Sequence, residues 1–279
     1  MNWKAFVPNT ITLLNLCCGF IAIICAFQEK LEYTAIFMVL GAVLDFFDGM
    51  TARALGVTGE LGKQLDSLAD VVTFGIAPGV IFFQMISISM GLYYVPLVDR
   101  DLSGILIPSV ALIMPALSAL RLAIFNLSED QTFDFIGMPT PANAMLWASF
   151  PLIFAYQIGL NMYTPAEPQV LATLLTSPHH YDSDIYAAYY LFDKNYIIPI
   201  GVLMSLFLVS PIRFISFKFK SKKWSDSWHK YIFLLSIIVL VTWFGIEDIW
   251  LFSVPVIYLF YILLSIIYTF INRKNEVQS

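Results

Sequence analysis

Apolar residues run almost unbroken through positions 9–27 and again through 231–244. These runs constrain the fold more than any other feature of the chain. About 20 apolar residues span a bilayer core, and a backbone in lipid must satisfy its own hydrogen bonds, as a helix does. Composition agrees, with 59% hydrophobic and 13% charged residues, against about 45–50% and about 25% in soluble domains. A soluble fold and a disordered chain are both excluded. The first run is longer than the apolar stretch of a signal peptide, has only Lys4 before it and lacks a small-x-small cleavage site, so it reads as a retained first helix.

Apolar segments are expected over about 8–27, 33–55, 63–92, 103–126, 142–162, 195–212, 230–246 and 249–271, with edges uncertain by a few residues. The expected fold class is all-α, a polytopic transmembrane bundle of about eight helices. With a cytoplasmic N-terminus, all 15 basic residues except Lys30, Arg100 and Lys194 fall on the cytoplasmic side. The positive-inside rule then places both termini in the cytoplasm. Net charge is −5, which offers nothing to nucleic acid. Cys17, Cys18 and Cys25 all lie in the first run and read as small packing residues rather than a disulfide framework.

Two polar stretches connect the segments. Residues 163–195 form the longest far-side loop, with Pro165, Pro168, Pro178, His179 and His180, and with Tyr186, Tyr189 and Tyr190 suited to the interface. The histidine pair lacks further convergent ligands and reads as exposed rather than metal-binding. In the second stretch Arg213, Lys218, Lys220, Lys222, Lys223 and Lys230 alternate with Phe214, Phe217, Phe219, Trp224 and Trp228. That pattern suits a topology anchor with snorkelling side chains, or an interfacial segment that attracts anionic lipid. The expected organisation is a membrane core over 1–212, a basic loop over 213–229 and two further helices over 230–271.

Ionisable residues inside membrane helices are costly and mark function. Asp45, Asp48, Asp66 and Asp70 stand near the cytoplasmic ends of the second and third segments. Asp45, Asp48, Gly49 and Ala52 share one helical face, as do Gly62, Asp66 and Asp70. The short link between them contains Gly56 and Gly59, which suits a turn between antiparallel helices. Folding the two helices together makes four carboxylates converge, and either protons or cations must neutralise them. An all-oxygen set favours a hard ion such as Mg2+ or Mn2+. Two ions so held suit phosphoryl chemistry. Gly49, Ala52 and Gly62 leave room for a charged ligand, and Arg53 is placed to neutralise a phosphate. The alternative is that the acids are helix-end surface residues.

The stretch Asp45-x-x-Asp48-Gly49-x-x-Ala52-Arg53, eight residues, Gly62-x3-Asp66-x3-Asp70 resembles, at every specified position, the signature of the CDP-alcohol phosphotransferases. Pro8-Asn9-Thr10-Ile-Thr12-Leu-Leu-Asn15, Leu120-Arg121 with Phe125-Asn126, Gly137-Met-Pro139-Thr140-Pro141-Ala142-Asn143 and Ser210-Pro-Ile-Arg213 are similar to its bacterial phosphatidylserine synthase branch. The likeness reaches from about residue 7 to 220, and the last two helices resemble extra helices that some members add to a six-helix core. The expected Arg before Phe125-Asn126 is replaced by Ile124, which puts the contacts near Arg121 in doubt.

The resemblance implies an integral-membrane enzyme, a homodimer in a bacterial cytoplasmic (inner) membrane with its active site facing the cytoplasm. It would move a phosphatidyl group from CDP-diacylglycerol to L-serine and release CMP. It implies two divalent cations, Mg2+ or Mn2+, on Asp45, Asp48, Asp66 and Asp70, with Asp70 also the general base. It implies a CDP site of Asp45, Asp48, Gly49, Ala52, Arg53 and Gly62. Arg121, Asn126 and Arg213 are the candidates for acceptor or phosphate contacts. Arg121 reads equally as a topology charge, and Pro139–Asn143 as a rigid helix start. Glycerol 3-phosphate or an inositol compound are alternative acceptors. From another class, the acids would serve a cation transporter, although such sites lie at the midplane between repeats.

Overall fold

Each apolar run becomes a helix. The computed structural model describes residues 3–57, 59–127, 135–157, 193–215, 224–247 and 250–278. The helices are α1 (Phe6–Phe27), α2 (Leu31–Leu55), α3 (Glu60–Ser89), α4 (Leu102–Leu127), α5 (Thr140–Leu152), α6 (Lys194–Leu208), α7 (Trp224–Ile246) and α8 (Ser253–Gln278). Among the described residues, six helical runs are long and apolar enough to cross a membrane. The chain is an all-α polytopic membrane bundle, as its apolar runs require. Segments 163–192, with both histidines and the tyrosines of that loop, and 216–223, with most of the basic cluster, lie outside the described residues.

Among the described residues three helices change pitch, and α5 does so at its end, where Ile153–Gln157 continue it as a π-helix. In α3 the stretch Val71–Ile76 widens to a π-helical turn directly after Asp70. In α4 the stretch Pro108–Leu112 tightens to a 3-10 turn. Gly56 ends α2 in the left-handed conformation at φ 64°, and its N–H satisfies the closing carbonyls of that helix. One feature was not expected from the sequence. Phe135–Ile136 (β1) and Arg213–Phe214 (β2) form a short antiparallel pair. Gly137, at φ 78°, follows β1 and donates its N–H to the Ile212 carbonyl at 2.9 Å.

The wide turn of α3 is where the core closes. Its Thr73 is wholly buried between Gly19 of α1 and Gly41 of α2. A Cβ on Gly41 would stand 2.6 Å from Thr73 Cγ2 and 2.9 Å from Asn15 Oδ1, too close for any side chain. The Thr73 hydroxyl donates to the Asn15 carbonyl at 3.0 Å. Close approach of backbones through small residues is how helices pack in lipid, where no hydrophobic force separates side chains from tails. Farther along, the Thr34 hydroxyl donates to the Ala22 carbonyl at 3.0 Å and Gln84 Nε2 to the Ala26 carbonyl at 3.1 Å. Phe82 and Trp147 stack at 4.7 Å in the middle of the bundle, and Gly201 of α6 lies against Phe82.

The outside is apolar. Phe20, Ile24, Val39, Leu235, Ile238 and Trp243 are all exposed, as a lipid-facing surface demands. Beyond the end of α3 opposite the acids, Arg100 is a clamp rather than a free charge. Its Nε donates to the Val95 carbonyl at 2.9 Å, and its terminal nitrogens reach Ser87 Oγ at 3.0 Å and the Leu92 carbonyl at 2.7 Å.

These contacts predict opposite outcomes for two glycines. Gly41→Ala should destabilise the bundle by about 1–3 kcal/mol through overpacking, read as a lower midpoint of thermal unfolding in detergent. Gly245→Ala, where a Cβ meets nothing within 4 Å, should leave the midpoint unchanged or raise it slightly, because alanine favours helix.

Candidate active site

The four aspartates lie on two adjacent helices joined by the turn at Gly56, at the end of the bundle where α2 finishes and α3 begins. Asp45, Asp48 and Asp66 each offer a carboxylate oxygen, and these oxygens lie within 4.8 Å of one another. The Asp45 and Asp66 side chains are close enough to hydrogen-bond. Asp48 is buried and accepts from the Thr12 hydroxyl at 2.6 Å. The Pro8 carbonyl, 3.0 Å from the same hydroxyl, is the other acceptor within reach of its single proton, so α1 fixes the orientation of an α2 carboxylate.

Asp70 stands one turn deeper on the same face of α3. It is buried, and its Oδ1 has no hydrogen-bond partner among the described residues. It lies within electrostatic range of the other three acids and of Arg121 on α4. The guanidinium of Arg121 rests over the Phe125 ring at 5.3 Å, and its Nε is also without a hydrogen-bond partner among the described residues. A buried acid and a buried cation thus lie within electrostatic range of each other, each with bonding capacity left over. Such orphaned groups cost free energy unless a ligand or water completes them.

The small residues of the motif have no packing task. A Cβ on Gly49 would meet only the Arg53 guanidinium, at 3.4 Å, and one on Gly62 only Asn9 Oδ1, at 3.5 Å. Contrast Gly19 and Gly41, which are small because a neighbour fills the space. At Gly49 and Gly62 the space is open, so the missing side chains leave room beside the acids. Ala52 is half-buried on the same face and Arg53 is exposed at its edge.

The sequence-derived candidates outside the motif fall in different places. Asn126 is bound to α3: its Nδ2 donates to Ser67 Oγ at 2.7 Å and its carbonyl accepts from Lys63 Nζ at 2.9 Å. That places the C-terminal end of α4, with Arg121, beside the acid-bearing part of α3. Arg213 is half-buried in β2, and its backbone N–H donates to Thr269 Oγ1 on α8 at 2.9 Å. The α5 start holds Thr140 and Asn143, both wholly buried, with Thr140 Oγ1 and both Asn143 amide atoms unpartnered among the described residues. Helix α5 packs against α2, the wide turn of α3 and α4.

Sequence reasoning assigned no role to Thr12, Lys63, Ser67 or Tyr261. A signal existed for Thr12. Pro8, Thr12, Asn15, Gly19, Ala22 and Ala26 recur at helical spacing and are the buried stripe of α1, so a hydroxyl in that stripe must find a partner inside. For Lys63, Ser67 and Tyr261 the partners come from distant segments, and no local pattern marks them.

The donor set fits a hard divalent cation. Three carboxylates converge from separate residues with no histidine or cysteine among them, and hard ions prefer oxygen ligands. The fold defines a polytopic membrane protein with an acidic cluster where α2 ends and α3 begins. A family profile described as CDP-alcohol phosphatidyltransferase matches residues 5–175, and the chain belongs to that family. A CDP-diacylglycerol–serine O-phosphatidyltransferase of Bacillus subtilis (strain 168) is 39% identical over 140 residues, which is 50% of this chain and 72% of the relative. One from Helicobacter pylori (strain ATCC 700392 / 26695) is 28% identical over 235 residues, 84% of this chain and 79% of the relative. An archaetidylserine synthase of Methanothermobacter thermautotrophicus is 31% identical over 153 residues, 54% of this chain and 59% of the relative.

The crowding of carboxylates makes a sign-specific prediction. In chelator, Asp66→Asn should raise the unfolding midpoint by about 2–4 °C, the shift for about 1 kcal/mol of relieved repulsion. In Mn2+ the wild-type midpoint should rise and that of Asp66→Asn should not. A variant that melts lower in chelator and still responds to Mn2+ contradicts the assignment.

Proposed function

We propose that this protein transfers the phosphatidyl group of CDP-diacylglycerol to the hydroxyl of L-serine, giving phosphatidylserine and CMP. The observation that carries the proposal is the pairing of a three-carboxylate cluster with a buried acid, Asp70, whose Oδ1 has bonding capacity to spare. The printed activities of the bacterial relatives support the choice of serine. The chemistry of the neighbourhood supports it too. A phosphorylated acceptor needs clustered cations, and the motif region offers only Arg53, Lys63 and Arg121, of which Lys63 is engaged with Asn126.

The residues divide the work as follows. Asp45, Asp48, Asp66 and Asp70 would hold two divalent cations, Mg2+ or Mn2+. When bound, such ions neutralise the pyrophosphate and the charge that develops on the leaving oxygen. The open backbone at Gly49, Ala52 and Gly62 admits the CDP group, and Arg53 meets its charge at the membrane edge. Asp70 Oδ1 takes the serine hydroxyl proton. The serine oxygen forms a bond to the lipid-side phosphorus, and the pyrophosphate P–O bond breaks with its electron pair leaving on CMP. Arg121 balances the charge of Asp70 and receives the serine carboxylate. Thr140 and Asn143 supply acceptors and donors for the rest of the amino acid.

The site faces the cytoplasm in this proposal, where serine is dissolved, where the CDP headgroup of the lipid donor meets water and where the basic residues gather. We also propose a homodimer, in which the membrane core over 1–212 carries the chemistry.

The test uses purified full-length protein in detergent with CDP-diacylglycerol and Mn2+, offered serine, glycerol 3-phosphate or inositol. Serine-dependent CMP release is expected. Asp70→Asn should lower it by about 100- to 10,000-fold, the range for loss of a general base. Release with another alcohol alone refutes the serine assignment. Substantial turnover by Asp70→Asn removes the base role.

A further inference from the structure

In a membrane protein, a strand with one unpaired edge is a liability, because buried backbone groups need partners. Among the described residues, strand β2 has β1 on one edge only. Its other edge is closed by a helix. The Arg213 N–H donates to Thr269 Oγ1 at 2.9 Å, and the Thr269 hydroxyl is also 3.2 Å from the Arg213 carbonyl. The Ile215 N–H donates to Ser265 Oγ at 3.3 Å, and the Tyr261 hydroxyl donates to the Ile215 carbonyl at 3.1 Å.

The geometry explains why a helix can do this. Residues 261, 265 and 269 are four apart and share one face of α8. Four helical residues rise about 6 Å, and two strand residues advance about 6.6 Å. Thr269 and Ser265 therefore match Arg213 and Ile215 in antiparallel register. In a strand pair, successive residues turn their backbone groups to opposite edges. Phe214 is paired toward Phe135 of β1, which leaves residues 213 and 215 for the hydroxyls. Ser265 and Tyr261 are buried, and the Tyr261 ring packs on Phe214 at 5.5 Å between centroids.

The ladder reaches the reaction from two sides. It fixes the backbone that carries Arg213. It also fixes β1 through β2, and β1 runs through Gly137 into Pro139 and the α5 start with Thr140 and Asn143. Tyr261 itself lies within electrostatic range of Arg121, which lies beside Asp70.

We propose that Tyr261, Ser265 and Thr269 form a hydroxyl ladder that positions the acceptor side of the active site, so that α8 is a working part of the enzyme. This rests on the reaction proposed above. None of the three is a catalytic residue; they act through Arg213, Arg121 and the α5 start.

The experiment compares wild type, Thr269→Val, Thr269→Ser and Arg213→Gln in the full-length protein, with steady-state kinetics for acceptor and for CDP-diacylglycerol. Thr269→Val should raise the acceptor KM about tenfold, the factor for about one lost hydrogen bond. The KM for CDP-diacylglycerol and the response to Mn2+ should stay as in wild type. Thr269→Ser should restore the acceptor KM. In the Arg213→Gln background, Thr269→Val should add less than it costs in wild type, since the Arg213 route is already lost and only the route through the α5 start remains. Hydrogen exchange of the peptide containing Arg213 and Ile215 should speed up in Thr269→Val and not in Thr269→Ser.

An unchanged acceptor KM in Thr269→Val overturns the proposal. So does an equal loss on both substrates, with a lowered melting midpoint that Thr269→Ser does not mend. If wild type rejects serine and uses another alcohol, the serine assignment falls. The ladder then stands or falls on the KM of that alcohol.

Discussion

Like charges confined to lipid organise this molecule. Three carboxylates whose oxygens lie within 4.8 Å of one another, with a fourth acid one turn away, repel at short range in a medium of low dielectric. That arrangement is tolerable only if the surrounding helices hold it and protons or cations offset it. The holding is visible in the packing. Gly19 and Gly41 let α1 and α2 close around Thr73 of α3, and the wide turn that contains Thr73 begins directly after Asp70. Thr12 reaches from α1 to orient Asp48. A π-turn inside a helix often marks a functional site, and here the turn separates the acid-bearing half of α3 from the half that fills the core.

Much of this was legible in the residues. The apolar runs require helices because lipid offers no alternative partner for the backbone, and among the described residues eight helices are present, with six runs long and apolar enough to cross a membrane. The spacing of Asp45, Asp48, Asp66 and Asp70 puts acids on two facing stripes, and Gly56 supplies the turn that brings the stripes together. What could not be read was anything set by contacts between distant segments. Lys63 carries an ordinary polar side chain in sequence and Asn126 is marked there only as a candidate contact, yet together they tie α3 to α4 beside the site. The strand pair of residues 135–136 with 213–214 joins two fragments too short to carry a periodic signal. Pitch changes in α3 and α4 likewise follow from tertiary packing rather than from propensity.

Sequence gave the last two helices no work beyond a likeness to extra helices. Their packing divides them. Helix α7 packs mainly against α8 and exposes a broad apolar face. Helix α8 instead directs Tyr261, Ser265 and Thr269 inward, onto the edge of β2. A polar stripe on a lipid-embedded helix is expensive unless it is satisfied, and this one is satisfied by backbone. In the proposed reaction α1 and α2 frame the nucleotide side of the site and α4, α5 and α8 the other.

The central claim is that the acidic face of α2 and α3 holds divalent ions against a pyrophosphate. Mn2+ bound to the full-length protein in lipid nanodiscs, with CDP-diacylglycerol added, can be read by pulsed electron paramagnetic resonance. The account predicts hyperfine coupling from the manganese to phosphorus, none to an imidazole nitrogen, and loss of the signal in Asp45→Asn. Bound manganese without phosphorus coupling, or with a nitrogen ligand, would contradict it.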